Sequence, residues 1–395
     1  YLEYILPVSS QEEVNQRQKE ILRLQAIEDS RAKARADKRM IFNEDCSILL
    51  GVTEEGKDIV SYELPLCVKQ IGELEVDEIR LKDYTSVFEP CSKLEKVILS
   101  DNLEIIGRYA FYGCRAEELQ IPNSVKRICS WAFQCTKNLK HIEMPLCSMD
   151  TEGCFSNSGI SSISLPEGME TIGKYMFDST KELKHITLPS TITSIGYGAF
   201  ALSAIQEIII PEGVKEIEDR AFRGCNNLMQ VKLPSTITSI GARAFGESAI
   251  KEIIIPEGVK EIGEVAFFAC SNLMKVKLPS TITSIGKKVF AKSAIQEIII
   301  PEGVKEIGEE AFCECNNLMK VKLPSTITSI GKKSFALSAI KEIIIPEGVK
   351  EIEDKAFALC YNLSSITLPK SLFEIKSYAF ASCDALKDIY LYGVL

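Results

Sequence analysis

The chain has 395 residues and a formal charge of −9 at neutral pH, with a pI near 5.2. This acidic balance argues against a nucleic-acid partner, because binding to a phosphate backbone calls for a basic stripe of Lys and Arg. No run of about eighteen apolar residues occurs, so no membrane insertion is predicted. The sequence begins at Tyr1 rather than at Met, which leaves the question of a removed export signal open.

Residues 1–40 differ in composition from the rest of the chain and predict an N-terminal charged helical segment. The stretch from Gln11 to Arg39 is rich in strong helix formers and contains neither Gly nor Pro. Its apolar positions form a thin stripe: Val14, Ile21, Leu24 and Ile27. Such a helix could cap the domain that follows, pair with another helix, bind a partner or remain a solvated arm.

Residues 41–80 have the character of an atypical first repeat. Two short strand-like runs flank a polar turn at Thr53–Gly56 and lead into the first Leu-Pro and Ile-Gly pairs. The open end of a repeat array exposes core and a strand edge, and both need covering. These residues are therefore predicted to form the N-terminal cap of a solenoid that extends over residues 41–395.

A column of Phe residues counts the repeats. Between Pro189 and Pro369 the same text is written four times with a period of 45 residues, and each copy is itself two half-repeats of 22 or 23 residues. A fixed period in this range is typical of a solenoid, in which each coil buries its apolar face only against its neighbours. The column gives fourteen coils: Phe88, Phe111, Phe133, Phe155, Phe177, Phe200, Phe222, Phe245, Phe267, Phe290, Phe312, Phe335, Phe357 and Phe380.

The residues of one coil predict a strand, a turn and an inward-facing Phe. Ile253 and Ile255 alternate with the period of a strand, and Pro256 ends it because proline supplies no backbone donor. Stacked coils would place these strands about 4.8 Å apart in a long parallel sheet. Gly263 suits a tight turn across the other side of the coil. Phe267 is predicted to pack inward from a short helical turn.

These residues carry a specific resemblance. The pattern Leu-x-x-Val-x-Leu-Pro-x-x-Ile-x-x-Ile-Gly-x-x-Ala-Phe-x-x-Cys looks like the BspA-type leucine-rich repeat, and residues 41–52 are similar to the leading repeat of that family. The resemblance covers residues 41–395. It implies an α/β repeat fold, a curved right-handed leucine-rich-repeat solenoid with a parallel β-sheet on its concave face. Short strands, turns and helical turns would form the other side.

The same resemblance implies a class of function. Such repeats occur chiefly in surface or secreted proteins of host-associated anaerobic bacteria and some protozoan parasites, where they adhere to host proteins or other cells. The leading hypothesis is a non-enzymatic protein-interaction or adhesion module, secreted or at the cell surface, with a host extracellular protein as its partner. An intracellular, cytoplasmic scaffold or effector is the alternative, and a structural spacer is a third. The repeat names no ligand and leaves the oligomeric state open.

The inventory of reactive side chains argues against an enzyme. His141 and His185 are the two histidines of the sequence. It contains no phosphate-binding loop, dinucleotide fingerprint, zinc-protease helix motif or nucleophile elbow. Carboxylates are abundant, but Glu212, Glu216 and their repeats recur at every second coil, which is typical of a solvated face. We therefore expect no catalytic residue, no metal and no cofactor.

The fourteen cysteines predict buried free thiols rather than a disulfide framework. Several sit three residues after the column Phe, where the alternate half-repeats carry Ser, so the position is interpreted as a small buried slot. In the regular section these cysteines lie two coils apart, about 10 Å, which is too far for a disulfide. Pairing or metal binding stays open for two groups: Cys313 with Cys315, and Cys129, Cys135, Cys147 and Cys154.

The first candidate binding surface is an outward row on the predicted sheet, called here the Ile–Lys row: Ile209, Lys232, Ile254, Lys277, Ile299, Lys322 and Ile344. Beside it runs a charged row: Glu207, Gln230, Glu252, Lys275, Glu297, Lys320 and Glu342. Alternation of Glu with Lys or Gln avoids like-charge contacts and helps any parallel ladder, which is the structural explanation. Exposed Ile at every second coil has no such explanation, and an apolar stripe rimmed by charge indicates an interaction surface.

The second candidate surface is the position two residues before each Phe. It varies along the chain and includes Tyr109, Trp131 and Tyr175, and Trp131 is the only Trp of the sequence. Variation there is explained equally by a lack of constraint. Trp, Tyr and Arg nevertheless dominate the energetics of protein interfaces, so these three residues are predicted to bind a partner.

Overall fold

A computed structural model describes residues 11–73 and 86–391 of the chain. It divides into two compact units, unit 1 over Tyr1–Asp150 and unit 2 over Thr151–Leu395. The predicted helical segment and the predicted cap lie in unit 1, although residues 1–10 and 74–80 of those predictions fall outside the described residues. The domain boundary between residues 40 and 41 stays a prediction.

Unit 1 begins with helix α1, Gln11–Ala36, which carries acidic residues in its first turn and basic residues in its last. Its N-terminal part, up to residue 26, is exposed along its whole length. Its C-terminal part docks, because Ser30 and Ala34 are buried and the Ser30 hydroxyl accepts a hydrogen bond from the amide of Cys67 at 3.1 Å. The helix therefore has a buried C-terminal contact, and its exposed part contacts the rest of unit 1 through the Arg23 guanidinium, which donates to the Asn102 side-chain oxygen at 3.0 Å.

The strands of unit 1 form two columns of parallel pairs behind a hairpin. The hairpin and the second strand column are β1 Met40–Phe42, β2 Ile48–Val52, β4 Gln70–Ile71, β6 Ile105–Ile106, β7 Arg127–Ile128 and β9 Ser148–Met149. The first strand column holds β3 Ser61–Glu63, β5 Lys96–Ile98 and β8 His141–Glu143, and a 3-10 turn spans Glu54–Gly56. Strand β1 pairs antiparallel with β2, whereas the later strands pair parallel, so the hairpin covers the edge of β2.

Unit 2 also contains two columns of strands, over residues 151–391. Its first strand column is β10 Ser162–Ser164, β13 Glu207–Ile209, β15 Gln230–Lys232, β17 Glu252–Ile254, β19 Lys275–Lys277, β21 Glu297–Ile299, β23 Lys320–Lys322, β25 Glu342–Ile344, β27 Ser365–Leu368 and β29 Asp388–Leu391. Its second strand column is β11 Thr171–Ile172, β12 Ser194–Ile195, β14 Glu216–Ile217, β16 Ser239–Ile240, β18 Glu261–Ile262, β20 Ser284–Ile285, β22 Glu306–Ile307, β24 Ser329–Ile330, β26 Glu351–Ile352 and β28 Glu374–Ile375. The predicted parallel-strand solenoid of fourteen coils is confirmed.

The predicted parallel strands of the first column are present, but they are divided into short ladders. In the first strand column of unit 2 the ladders are short, pairing β13 with β15, β17 with β19 and β21 with β23. The second strand column instead forms two five-stranded sheets, β11–β12–β14–β16–β18 and β20–β22–β24–β26–β28. Between consecutive 45-residue copies the first column is joined more weakly, for example through the Lys251 amide and the Met229 carbonyl at 3.3 Å. Strand pairing in the first column therefore has the period of the 45-residue double repeat, whereas pairing in the second column recurs at every coil within each five-stranded sheet.

The Phe column forms the core of both units. In unit 1 the rings of Phe88, Phe111 and Phe133 stack with centroids 5.3 Å apart. In unit 2 the stack runs from Phe155 to Phe380 with spacings of 5.2 to 5.7 Å and ring planes within 16° of parallel. All of these rings are buried except that of the last coil. Each ring therefore has an aromatic neighbour in the next coil, as the repeat predicts.

The segment around each Phe is not the predicted helical turn. In the coil of Phe267 the amides of residues 266, 268 and 270 bond carbonyls three residues back within the same coil. The amides of Val265, Phe267 and Ala269 instead reach carbonyls of the next coil, at 3.0, 2.9 and 2.8 Å. A helix would keep all of these bonds within the segment. Alternate amides thus tie neighbouring coils together, and this is why the segment forms consecutive turns.

In the coils from Phe111 to Phe380, the residues two before and two after the Phe lie in the left-handed backbone region. Val265 and Ala269, two residues before and after Phe267, have φ of 63° and 54°. The same holds at the predicted aromatic positions, where Tyr109, Trp131 and Tyr175 have φ of 56°, 60° and 54°. This conformation costs a non-glycine residue about 1–2 kcal/mol. The position two residues before each Phe varies in its side chain, but its backbone conformation is tightly constrained.

The glycine at the second strand column serves close packing rather than a left-handed turn. A Cβ on Gly263 would lie 2.5 Å from the Ala242 nitrogen and 2.6 Å from the Gly241 carbonyl carbon of the preceding coil. Such distances are far inside van der Waals contact, so a side chain there would push the coils apart. The close approach of the preceding coil therefore favours glycine at residue 263, whereas the equivalent positions 218 and 353 hold Glu.

The Glu that follows every second strand proline also has a structural role. The Glu212 carboxylate accepts hydrogen bonds from the amide and hydroxyl of Ser235 in the next coil, at 3.0 and 2.9 Å. Glu257 binds Ser280 in the same way, both at 2.9 Å. These bonds hold the pKa of Glu212 below its usual value. Glu212 is exposed, as the expected solvated face requires, and its carboxylate also links adjacent coils.

The Phe stack predicts a large, position-specific loss of stability. Phe267→Ala should lower the free energy of unfolding by about 3–5 kcal/mol, because it removes a buried ring from contact with both neighbouring coils. The matched control is Phe268→Ala, since the adjacent ring is only partly buried. Urea titration followed by circular dichroism measures both. Equal losses for the two variants would show that the column does not carry the core.

Candidate protein-interaction surfaces

The structure brings the whole Ile–Lys row together on one face of unit 2. Ile209 lies beside Lys232, Ile254 beside Lys277 and Ile299 beside Lys322 in the parallel register, each at the third position of its strand. Ile344 occupies the equivalent position of strand β25 and pairs with Thr367. The predicted geometry of the row is therefore present, although binding itself stays a prediction.

The strand period explains why these isoleucines face outward. Ile253 and Ile255 are 2% exposed, whereas Ile254 between them is 66% exposed. The four isoleucines of the row have exposed fractions between 61 and 68%. Successive side chains of a strand point to opposite faces, so the buried pair forces the middle residue into solvent. An apolar stripe thus recurs at every second strand with no core role.

The charged row has the structural role proposed for it. Glu252 lies beside Lys275 and Glu297 beside Lys320 in the parallel register. Opposite charges on adjacent strands stabilise a ladder, whereas like charges would weaken it. This alternation accounts for the charged row, and it leaves the neighbouring exposed isoleucines without an explanation from the fold.

A second set of apolar residues, which was not predicted from the sequence, lies at the border of this face. Met229, Met274 and Met319 precede the strands of Lys232, Lys277 and Lys322, and their exposed fractions are 39, 41 and 44%. The signal was available, because the alternate half-repeats carry Gln or Lys at the same position. Flexible, polarisable Met side chains suit protein-binding surfaces. The apolar area of the face is therefore larger than the isoleucines alone.

The predicted aromatic residues of unit 1 form a stacked pair. The rings of Tyr109 and Trp131 lie 6.4 Å apart with their planes 18° from parallel. The guanidinium of Arg108 lies 5.5 Å from the centre of the Tyr109 ring, within range of a cation–π contact. Both aromatic side chains are half-buried. They form a ridge that combines packing between coils with an accessible aromatic edge.

Tyr175 belongs to a separate aromatic cluster in unit 2. Its ring packs edge-on against Tyr197 with centroids 5.2 Å apart, and Arg220 lies 5.4 Å above the Tyr197 ring. Burial and the neighbouring Tyr197 raise the pKa of the Tyr175 hydroxyl. Tyr197 was not predicted because it sits three residues before its Phe, outside the row under comparison. The structure therefore places Tyr175 with Tyr197 and Arg220.

The cysteine slot is a buried pair of a thiol and a hydroxyl between adjacent coils. The Cys225 thiol donates to the Phe200 carbonyl at 3.0 Å and lies 3.5 Å from the Ser203 hydroxyl. The same arrangement recurs at Cys270, Cys315 and Cys360, with carbonyl distances of 3.1 Å. These four thiols are buried. The interchange of Cys with Ser in the sequence thus reflects one small polar slot.

Cys313 and Cys315, whose pairing the sequence left open, lie in different environments. Cys315 occupies the slot beside Ser293, whereas Cys313 packs in a small cluster with Ala291 and Ala336. In residues 11–73 and 86–391, no group of three or more His, Cys, Asp or Glu side chains is arranged to hold a metal ion. His185 instead lies 3.7 Å from a Glu207 oxygen on the exposed strand face.

With this geometry in place, comparison with known proteins defines the class. The chain matches the BspA type leucine rich repeat region family over residues 84–205, 193–319 and 283–394, with six copies. The chain therefore belongs to this family of leucine-rich repeat proteins. Proteins built from such repeats typically serve as protein-interaction scaffolds rather than enzymes. No curated protein matches the chain.

Solved structures of bacterial leucine-rich repeat proteins are similar to this chain. A leucine-rich repeat protein from Bacteroides ovatus has 24% identity and a TM-score of 0.50, covering 89% of this chain and 92% of its own. A leucine rich cell surface protein from Faecalibacterium prausnitzii has 25% identity and a TM-score of 0.47, covering 91% and 94%. The first supports the fold. None of the helices in the described part of the chain has the length and apolarity needed to cross a membrane.

The buried thiols predict a loss of stability in alkali. Burial raises the pKa of Cys225 and Cys315 to about 12 and of Cys270 and Cys360 to about 11, against an ordinary value of 9.0. Above pH 9 the unfolded thiols ionise first, so unfolding releases protons, and stability falls up to about pH 11 for Cys270 and Cys360 and up to about pH 12 for Cys225 and Cys315. Each thiol contributes a slope of up to about 1.4 kcal/mol per pH unit. Urea titrations from pH 7 to 11 measure it.

The control for this prediction is the variant in which these four cysteines are changed to Ser, the residue already present in the alternate slots. It should retain the coil structure and lose stability less steeply between pH 9 and 11, because hydroxyl groups do not titrate there. Identical slopes for the two proteins would contradict the assignment of the effect to the buried thiols. Other groups that titrate in this range affect both proteins equally.

Proposed function

We propose that this protein is a non-enzymatic interaction module that binds a protein partner through the Ile–Lys row of unit 2. The observation that supports the proposal is the exposure of Ile209, Ile254, Ile299 and Ile344, between 61 and 68%. Burying one such side chain stabilises a complex by about 1.5–3 kcal/mol. Lys side chains between the isoleucines supply the polar surroundings and charge that give specificity.

The fold itself does not need these isoleucines. Ile253 and Ile255 supply the buried contacts of the strand, and the coil is closed by Phe267 and its neighbours. A polar residue at position 254 would satisfy the strand period equally well, as Lys277 does on the adjacent strand. An apolar residue in solvent at four successive copies therefore supports a binding role.

The aromatic residues form a second part of the proposed function. Tyr109 and Trp131 present a stacked pair in unit 1, and Tyr175 with Arg220 and Tyr197 presents a cluster in unit 2. Aromatic and Arg side chains carry a large share of binding energy at interfaces. Because their positions are held by a constrained backbone, these side chains lose little further freedom on binding.

The proposal includes adhesion at the cell surface or after secretion, with a host extracellular protein as the partner. The support for this part is the character of the repeat family, whose members act chiefly outside the cell. The same surface would serve an intracellular scaffold equally well, so partner and compartment are tested together by comparing extracellular-matrix and cytosolic protein extracts.

Capture by the immobilised chain tests the proposed surface. Ile254→Glu with Ile299→Glu should reduce capture of extracellular-matrix proteins at least about tenfold, because two charges enter an apolar contact. Thr283→Glu with Thr328→Glu is the matched control, since it adds the same charge at exposed sites beside the second strand column. Quantitative mass spectrometry of the captured proteins gives the ratio, and melting curves verify that the variants remain folded.

A second pair of changes tests the aromatic positions. Trp131→Ala with Tyr175→Ala should weaken capture if the aromatic edges contact the partner, and circular dichroism verifies the fold. Capture that stays complete in both this variant and the isoleucine variant would eliminate both surfaces. Capture from the cytosolic extract alone would assign the interaction to the interior of the cell.

A further inference from the structure

We propose that the face formed by the Ile–Lys row takes one kind of partner, an acidic amphipathic α-helix that lies across the strands of unit 2. The helix would carry an apolar residue at every seventh position and acidic residues three and four positions after it. This inference rests on the proposed function, since it names the partner class for the same surface. It follows from the spacing, the charge and the width of that surface.

The spacing of the isoleucines matches the repeat of a helix. Ile254 and Ile299 are two strands apart, which places them about 9.6 Å from each other at the usual spacing of parallel strands. The Phe stack of the same coils, from Phe267 through Phe290 to Phe312, advances 5.5 Å per coil. Seven residues of an α-helix rise about 10.5 Å. An apolar residue at every heptad therefore meets successive isoleucines, with a drift of about 1 Å per step.

The charge between the isoleucines defines the polar positions of the helix. Halfway between Ile254 and Ile299, strand β19 presents Lys275 and Lys277 on its outer face, and strand β23 repeats the pair. Helix residues three and four positions beyond an apolar residue lie about half a heptad further along and on the same side. Glu at both positions would meet the two Lys of one strand. Glu252 and Ile254 are the two outward residues of one strand. An acidic helix residue placed over that strand would therefore be repelled by the Glu252 carboxylate.

The width of the face also fits a helix. The two outward positions of a three-residue strand are about 7 Å apart, and Met274 extends the apolar border by one residue. An α-helix with its side chains is about 10–12 Å across, so it covers both rows and reaches the Met border. The helix axis would run between the two rows, with Ile254 and Lys277 on one side of it and Lys275 on the other.

Two other partners fit this face less well. A polyproline helix repeats every three residues, a rise of about 9.3 Å, which is also close to the isoleucine spacing. Such ligands, however, bind between aromatic side chains, whereas the Ile–Lys row and the charged row supply Ile, Lys, Glu and Gln. A second copy related by a two-fold axis along strand β19 would place Ile254 against Ile299 of that copy, but it would also place Lys277 against Lys277 and Glu252 against Glu297. Shifting that copy by one coil places Ile254 against Lys277. The first arrangement therefore opposes like charges, and the second does not bury the isoleucines against apolar side chains.

The test uses the full chain and a designed four-heptad peptide. The peptide has Leu at the first heptad position, Glu at the fourth and fifth, and Ala or Gln elsewhere. Three matched peptides carry the Glu residues at the second and sixth positions, Lys in place of Glu, or a proline-rich sequence with Leu at every third position. Fluorescence anisotropy at low and high salt measures binding. We expect the first peptide to bind at least about tenfold more tightly than the others, and less tightly at high salt.

Protein variants locate the binding. Ile254→Glu with Ile299→Glu should lower the affinity for the first peptide at least about a hundredfold, while Thr283→Glu with Thr328→Glu should leave that affinity unchanged. Equal binding of the peptide with shifted Glu, stronger binding of the proline-rich peptide, or dimerisation that is lost in the isoleucine variant would overturn the inference. If no peptide binds while the isoleucine variant still loses protein capture, the helical partner is wrong and the proposed function stands. If capture is also unchanged, both are wrong.

Discussion

The stack of Phe rings sets the distance between coils, and the rest of the structure follows from that distance. Rings 5.2 to 5.7 Å apart in unit 2 bring adjacent backbones close enough for the amides beside Phe267 to bond the next coil. That bonding holds Val265 and Ala269 in the left-handed region. The same approach requires glycine at Gly263 and leaves room only for a small polar residue in the slot of Cys270. Several unrelated features of the repeat thus have one cause.

Because the core is held together by these contacts, the outer face of the first strand column contributes little to the fold. The second strand column forms five-stranded sheets and the Phe segments bond coil to coil, whereas the first strand column is joined only in short ladders. Its outer positions can therefore vary without loss of the fold. In unit 2 they alternate between a strand with Glu252 and Ile254 and a strand with Lys275 and Lys277. The period that stacks the core is also the period with which the surface presents apolar and basic groups.

The sequence was sufficient for the features that depend on one coil or on a strict period. The Phe column, the burial of Ile253 and Ile255 and the outward position of Ile254 all follow from periodicity. The turns around Phe267 did not, because their hydrogen-bond partners lie in the next coil and no local pattern distinguishes them from a helix. The pairing of Tyr175 with a neighbouring tyrosine was missed for the same reason. A partner cannot be deduced from the repeat, because repeats specify the fold more strongly than the ligand.

Residue-resolved hydrogen exchange tests most directly the claim that the Phe segments join successive 45-residue copies more strongly than the first strand column does. Amides of Val265, Phe267 and Ala269 donate across coils at 2.8 to 3.0 Å, whereas the amide of Lys251 reaches the Met229 carbonyl at 3.3 Å. The account predicts that the first three exchange at least about tenfold more slowly than Lys251, because they open only when coils separate. Equal protection at all four sites, or the strongest protection at Lys251, would contradict it.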